Sequence, residues 1–267
     1  MKIKKILADK SNYGSSRNTK DIRYIVLHFT ANVTDKAKNN CKYFQRKNIK
    51  SSAHYFVDDN NIIQSVPDNY VAWSVGDKKY ANCSETGGGT FHERCGNANS
   101  ISVELCSTNG AFTSGTIQNA VILVQTLMKK YNIDINHVIR HFDVTGKLCP
   151  GYWVCSQENE MKFLDFKVRV LQPASINKSS PQWLVKWLQY HVGEEVTTSK
   201  DKIAVDGKYG AKTASCIVDM WNKWKWKPSS GNGVGKKTPC DSIFNCGLYV
   251  LTLTSYSSPY KSILTLN

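Results

Sequence analysis

The stretch RHFDVTGKLCPG, Arg140 to Gly151, gathers an imidazole (His141), an ammonium (Lys147) and a thiol (Cys149) into one loop rich in turn formers. A packed core has no use for that mixture, and a solvated loop does not require a cysteine. Far upstream, His28 stands near the end of the apolar run RYIVLHF, Arg23–Phe29. Two neutral imidazoles and a thiolate are borderline-soft donors suited to Zn²⁺. Three protein donors rather than four leave a position for water or substrate, which separates a catalytic zinc from a structural one. Glu104 adds a further element. It sits in NSISVELC, Asn99–Cys106, where every neighbour is apolar or small and an unpaired carboxylate is costly to bury. Beside a metal it would act as a non-ligand base that takes a proton from the attacking water. Lys147, two residues before Cys149, would stabilise the oxyanion. The bland readings are a salt-bridged carboxylate, a solvated lysine and buried structural cysteine and histidines. A second chemical reading makes Cys149 the nucleophile of a Cys/His protease, and zinc content separates the two.

Positioning these groups requires a scaffold. Arg23–Phe29 is β-branched and apolar, as in a buried strand, and puts His28 at the strand end where α/β sheets carry functional groups. AHYFVDDNNIIQSV, Ala53–Val66, reads as a hairpin around the turn formers Asp58 to Asn61. Asn99–Cys106 is another strand, and HVIRHF a last one that ends on His141. Gly115–Ile133 carries Ile117, Val121, Val124, Leu127 and Met128 at helical spacing. Further helices are expected near Lys36–Gln45 and Glu158–Val170. Strands interspersed with helices predict an α/β fold with one mixed central sheet flanked by helices.

After Val170 the texture changes. The Pro- and Ser-containing segment over 171–180 reads as a linker between a domain at 1–170 and a second, mainly helical one at 181–267. In the latter, QWLVKWLQYHVG, VDGKYGAKTASCIVDMWNKWKW and GNGVGKKTPCDSIF look like three short helices. Asn245–Asn267 has no clear pattern.

With 41% hydrophobic residues the chain can bury an ordinary core, and no stretch approaches a membrane span. Nine cysteines, an odd count without a CxxC pair, would in a reducing compartment be mostly free and buried, and the start Met1–Tyr13 lacks the apolar core of a classical signal peptide, so a cytoplasmic location is expected. The net charge of +14 invites an anionic macromolecule, nucleic acid or a phosphate-bearing wall. Lys and Arg outnumber Asp and Glu by 23 to 15 over residues 1–170 and by 12 to 6 over 171–267, so the excess is spread over both halves without an evident basic arm or helix. A nucleic-acid reading rests on charge alone, since no RNP, zinc-finger pair or basic helix accompanies it.

The ordered set IVLH, SAHYFVDD, NSISVELC and RHFDVTGKLCPG resembles the zinc-dependent N-acetylmuramoyl-L-alanine amidase family, which includes phage endolysins, bacterial autolysins and the related peptidoglycan recognition proteins. The resemblance covers roughly Ile22 to Phe166. It implies an α/β fold with a central mixed sheet and one zinc held by His28, His141 and Cys149. The implied reaction is hydrolysis, by zinc-activated water, of the amide between the muramic acid lactyl group and L-alanine. Glu104 and Lys147 take the catalytic positions. Some relatives carry a catalytic tyrosine where this chain has Ala53; Tyr55 is an inexact match, which leaves the base to Glu104. His54 is expected behind the ligands or in the groove. Trp73 and the loop Glu85–Asn99, with His92 and Asn99, resemble segments that line the substrate groove. VKWLQYHVG, VDGKYGAKT and GNGVGKKT, over Gln182–Ile243, resemble a three-helix peptidoglycan-binding module. The partner implied is the bacterial wall, with no membrane insertion, and the protein would stay in the cytoplasm until lysis. Some recognition proteins keep this fold as binding modules without the metal ligands; the presence of all three here favours the enzyme.

Overall fold

The computed structural model describes residues 2–81, 87–173, 176, 178–196 and 203–223. The chain divides into two compact units, Met1–Leu171 and Gln172–Asn267.

In the first unit the chain runs through β1 (Lys4–Lys5), β2 (Tyr13–Ser16), β3 (Tyr24–Phe29), α1 (Ala37–Phe44), β4 (Tyr55–Val57), β5 (Ile62–Gln64), β6 (Tyr70–Ala72), β7 (Ser100–Leu105), α2 (Ser114–Tyr131), β8 (Val138–Arg140), α3 (His141–Thr145) and α4 (Gln157–Leu171). Six strands form one sheet in the order β1-β5-β4-β7-β3-β8; β2 and β6 make a separate two-stranded ribbon. Only the β4–β5 hairpin is antiparallel within the large sheet. The expected mixed α/β architecture is therefore present. The centre is β3 and β7, whose Ile25, Val26, Leu27, Ile101 and Val103 are fully buried. Strands covered on both faces need apolar residues at successive positions, as in Ile25, Val26 and Leu27 of β3. β7 alternates instead, with Ile101, Val103 and Leu105 on one face and Ser100, Ser102 and Glu104 on the other.

The helices follow from their patterns. In α2, Ala120, Val121, Leu123, Val124 and Leu127 are buried, and Thr113 caps the start by accepting from Thr116 N. The helix ends where Asn132 adopts φ 53°, a left-handed conformation that asparagine tolerates. Gln125 Nε2 donates to the Val170 carbonyl at 3.0 Å and ties α2 to α4. On the face shared by Val26 and His28, a cluster of Val26, Val75, Cys95, Ile139 and Val144 is covered by loop residues around Phe91 rather than by a long helix.

One boundary differs from expectation in a way that matters. His141 does not end a strand; β8 stops at Arg140, and His141 is the first residue of α3. The Asp143 carboxylate accepts the Arg140 N–H at 2.7 Å, a capping box that turns the chain into a helix as soon as the strand ends. Arg140, 3% exposed, also pairs with Asp143 (2.8 Å) and with Glu160 on α4 (2.5 Å). α3 ends on Gly146 at φ +77°, and the chain doubles back so that Phe142 N donates to the Cys149 carbonyl at 2.9 Å. That bond closes the loop and returns Cys149 beside His141.

The second unit contains α5 (Gln182–Val196) and α6 (Ala211–Lys223). Trp187 and Leu188 on α5 are buried. The motif VDGKYGAKT wraps around one side chain: Gln189 Nε2 donates to Asp206 Oδ1 (2.9 Å), the Lys208 carbonyl (3.0 Å) and Thr213 Oγ1 (3.2 Å), while Gly207 N donates to Gln189 Oε1 (2.7 Å). Gly207 has φ +76°, and a Cβ there would collide with Gln182, so the glycine is required twice over. The third expected helix and the tail Asn245–Asn267 lie outside the described residues.

Candidate metal centre

His28 is the fifth residue of β3, and the parallel register sets it opposite Glu104 on β7. His141 and Cys149 are joined by the closed loop just described. One donor atom from each of His28, His141 and Cys149 lies within 4.8 Å of the others, and all three residues are buried. Cys149 Sγ is 3.8 Å from His28 Nδ1. Tetrahedral zinc with the usual bond lengths holds its ligand atoms about 3.3–3.8 Å apart, so the set needs only a small contraction.

The hydrogen-bond inventory points the same way. His141 Nε2 is 2.8 Å from the Val75 carbonyl, while His141 Nδ1 and His28 Nε2 are buried without a partner. A ring that donates one N–H to a carbonyl and leaves its other nitrogen bare is the usual state of a metal-ligating histidine. Burial, with the neighbouring His141 and Lys147, holds the His28 pKa well below its ordinary value; burial and Lys147 bring His141 down to about 4. Both rings are therefore neutral and able to donate. Cys149 is 3% exposed, and burial pushes its thiol up. A nucleophilic cysteine needs the opposite, a partly exposed thiolate, which weighs against the protease reading.

Glu104 is half-buried, with Oε2 sealed off and without a hydrogen-bond partner. Desolvation raises its pKa to about 7, the Lys147 ammonium draws it down, and the Asp35 carboxylate pushes it up. A carboxyl poised near neutrality is what general-base work requires. Lys147 is exposed and acts on Glu104 and both histidines through its charge.

The structure brings these five residues together, but not the four groove candidates. His54 is 1% exposed: Ser102 N donates to its Nδ1 at 3.0 Å, and its Nε2 lies 3.1 Å from the Tyr70 carbonyl and 2.9 Å from Arg17 Nη2. It is an interior residue joining sheet to ribbon, so it is withdrawn from the groove. Trp73 is half-buried with its indole against Gly14. Asn99 is occupied with its own loop, accepting from Gly96 N (2.9 Å) and donating to the Arg94 carbonyl (2.9 Å). His92 and Asn99 line a cavity of about 270 Å³ with Asp77, Arg94, Val144 and Thr145. Val144 and Thr145 belong to α3, the helix that begins at His141, but none of the five residues of the centre lines that cavity.

Three contributors had no reading in the sequence. The Val75 carbonyl is main chain and leaves no residue signature. Asp35 clasps the loops after β3 and β7, accepting from Asn32 Nδ2 (3.1 Å), Asn40 Nδ2 (2.5 Å) and Ser107 N (2.9 Å). Arg17 donates to the carbonyls of Asp68, Asn97, Ala98 and Ser100.

His54 gives a pH prediction. An unfolded histidine takes its proton near pH 6.5, whereas burial, with Arg17 beside it, keeps folded His54 neutral down to about 3. Between these values the unfolded chain binds the extra proton. Stability from this group is thus complete above about pH 6.5 and declines as pH falls toward 3, by at most about 1.4 kcal/mol per unit. Urea titrations between pH 7 and 4 are expected to show a shallower acid limb for His54→Gln than for the parent; equal slopes would exclude the assignment.

Three adjacent neutral donors, a desolvated carboxylate and an ammonium within electrostatic reach are the parts of a centre that hydrolyses a carbonyl bond. Residues 18–152, a span that contains all five, match the family described as N-acetylmuramoyl-L-alanine amidase, and the chain belongs to that family. It is 40% identical over 263 residues to N-acetylmuramoyl-L-alanine amidase CwlL of Bacillus licheniformis, an alignment covering 81% of this chain and 70% of that one. It is 35% identical over 167 residues to the amidase BlyA of Bacillus subtilis (strain 168), covering 60% of this chain and 45% of BlyA. Among solved structures, PlyL (32% identity, TM-score 0.51) covers 64% of this chain and 97% of its own. The PlyG catalytic domain (33%, TM-score 0.51) covers 68% and 99%. Among the described residues, no helix is long and apolar enough to cross a membrane.

Proposed function

We propose that this amidase cuts the amide between N-acetylmuramic acid and L-alanine in peptidoglycan, with one zinc held by His28, His141 and Cys149. The observation that carries the reading is the convergence of three buried donors, two with unpartnered nitrogens, on the strand end opposite Glu104. Zinc bound there would supply Lewis acidity to the scissile carbonyl and to water. Glu104 accepts the proton of the attacking water and returns it to the departing amine. Lys147 places a positive charge where the carbonyl oxygen becomes an oxyanion. The test is chemical: purified walls treated with the enzyme should gain free α-amino groups of L-alanine without new reducing sugar ends. Release of reducing ends alone would assign another bond.

Lys147→Ala is expected to slow turnover about ten- to a hundredfold while zinc content stays at one per chain, as for loss of a group that acts on developing charge. Loss of zinc in step with activity would give Lys147 a structural role instead.

The second unit is proposed as a wall anchor, on its resemblance to a peptidoglycan-binding module and the way VDGKYGAKT is built around Gln189. Anchoring raises the local concentration of the catalytic unit without altering its chemistry. Residues 1–171 alone are expected to keep zinc and cleave soluble muramyl peptides at nearly the full rate, but to lyse intact walls more slowly. Unchanged wall lysis, with no sedimentation of residues 172–267 on walls, would overturn the anchor. The relatives called amidases and a structural neighbour titled an endolysin support an endolysin or autolysin role. As an endolysin the protein would be held in the cytoplasm until lysis; intact protein in the medium of unlysed cells would favour the autolysin.

A further inference from the structure

The charge excess is not evenly spread at finer grain. Residues 1–50 hold thirteen Lys and Arg against three Asp, a net +10 of the chain's +14. The fold collects much of this on one edge. β1 is the outermost strand, paired with β5. The segment after it is stitched to the end of α1: Asp9 N donates to the Phe44 carbonyl (2.9 Å), Asn12 Nδ2 to the carbonyls of Phe44 (2.8 Å) and Arg46 (2.7 Å), and Asn48 N to Ser11 Oγ (2.8 Å). Lys4 and Lys5 on β1, Lys10 after it, Lys42 on α1, and Lys47 and Lys50 beyond it are all exposed, and all belong to the segments joined in this way. Lys10 is held between the rings of Tyr13 and Tyr70, 4.1 and 3.8 Å from their centroids.

Of the three carboxylates in this stretch, Asp9 lies within electrostatic reach of Lys47 and offsets part of the charge, while Asp35 is held by Asn32, Asn40 and Ser107 N in the loops after β3 and β7. Lysines on an edge strand discourage strand-to-strand association. That accounts for Lys4 and Lys5, but not for Lys42, Lys47 and Lys50.

We propose that the β1–α1 edge is a docking surface for an anionic phosphodiester polymer attached to the bacterial wall. The inference rests on the wall-hydrolase reading for its choice of polyanion. Lysine suits such a partner, since an ammonium pairs with phosphate as a point charge and demands no fixed geometry. The edge is also separate from the chemistry. β1 lies four strand positions from β3, about 19 Å at the usual strand spacing. Docking there would hold the enzyme on the wall while the metal centre stays free for substrate.

The test uses the full-length chain with Lys4, Lys5, Lys42 and Lys47 all changed to Gln, and a control with Lys20, Lys78, Lys79 and Lys129 changed to Gln. Binding is measured by sedimentation with purified walls, before and after acid extraction of their phosphate polymers, across a salt series. Cleavage of a soluble muramyl peptide is assayed in parallel. The edge variant should bind untreated walls at least tenfold more weakly than the control. Its log–log salt slope should be shallower by about three, from about 0.7 per phosphate contact on a flexible polyphosphate. On extracted walls the two variants should bind alike. Equal weakening of both variants would leave only a net-charge effect and overturn the edge. An edge deficit that persists on extracted walls would overturn the phosphodiester partner, as would stronger discrimination between the variants by anionic lipid vesicles or duplex DNA than by walls. Soluble-substrate cleavage should match the parent in both variants; a parent that fails to cleave it would refute the amidase reading while leaving the binding comparison intact.

Discussion

Cys149→Ala is expected to yield a folded protein with less than a tenth of the parent's zinc and wall hydrolysis reduced at least about 10³-fold, a loss of roughly 4 kcal/mol of transition-state stabilisation. Cys149 supplies the one sulfur donor of the cluster, and its loop is closed by a main-chain bond from Phe142 that the substitution leaves in place. The metal site should therefore fail without the fold failing. His28→Ala should behave in the same way, with the donor lost from β3 instead of from the loop. Metal analysis by mass spectrometry, circular dichroism and the wall assay on one preparation decide the matter. A purified parent enzyme that is metal-free and fully active would end the zinc assignment, and inactivation with zinc retained would revive Cys149 as a nucleophile.

Glu104→Gln is expected to keep zinc and lose at least about 10²-fold in rate, the range for removal of a general base. The same substitution should leave thermal stability unchanged or raise it. Glu104 Oε2 is buried without a partner and its carboxyl is pushed up to about 7, so the folded state bears a desolvation cost that a neutral amide avoids. A rate loss together with a stability gain separates a catalytic carboxylate from a structural one, whose removal would destabilise. A variant of parental activity would refute the role.

Much of this centre was legible because its residues violate their surroundings. A carboxylate in SISVELC and a Lys–Cys pair in a glycine-bearing loop stand out against apolar strands and polar turns. The principal elements were readable too, since β3 carries an apolar run, β7 an alternation and α2 a clean helical stripe, whereas the two-residue β1, the β2–β6 ribbon and the five-residue α3 are too short to leave a pattern. What could not be read was mostly main chain. The switch from β8 to α3 at His141 depends on the Asp143 carboxylate reaching the Arg140 N–H, and a three-residue strand offers too short a pattern to mark its end. Val75 contributes only its carbonyl. His54 misled for a different reason: a histidine just before a strand looks the same whether it faces a groove or, as here, is enclosed by Arg17, Ser102 and Tyr70. Charge misled through coarse counting, because the balance of two large halves hides a basic first fifty residues.

The pairing of His28 with Glu104 across the parallel ladder sets how this enzyme can change and still work. Side chains alternate through a sheet, so adding or deleting one residue within Ser100–Leu105 would send the carboxylate to the opposite face, under α2 and away from the histidine. No neighbouring side chain could compensate, because the alignment is written in backbone hydrogen bonds. The connection from Cys106 to Thr113 carries no such phase, and its length can change where the contacts of Ser107 with Asp35 and of Asn109 and Gly110 with Thr34 and Val33 are kept. Activity in this scaffold should therefore tolerate many substitutions and loop insertions, yet be extinguished by a single frame slip inside either central strand.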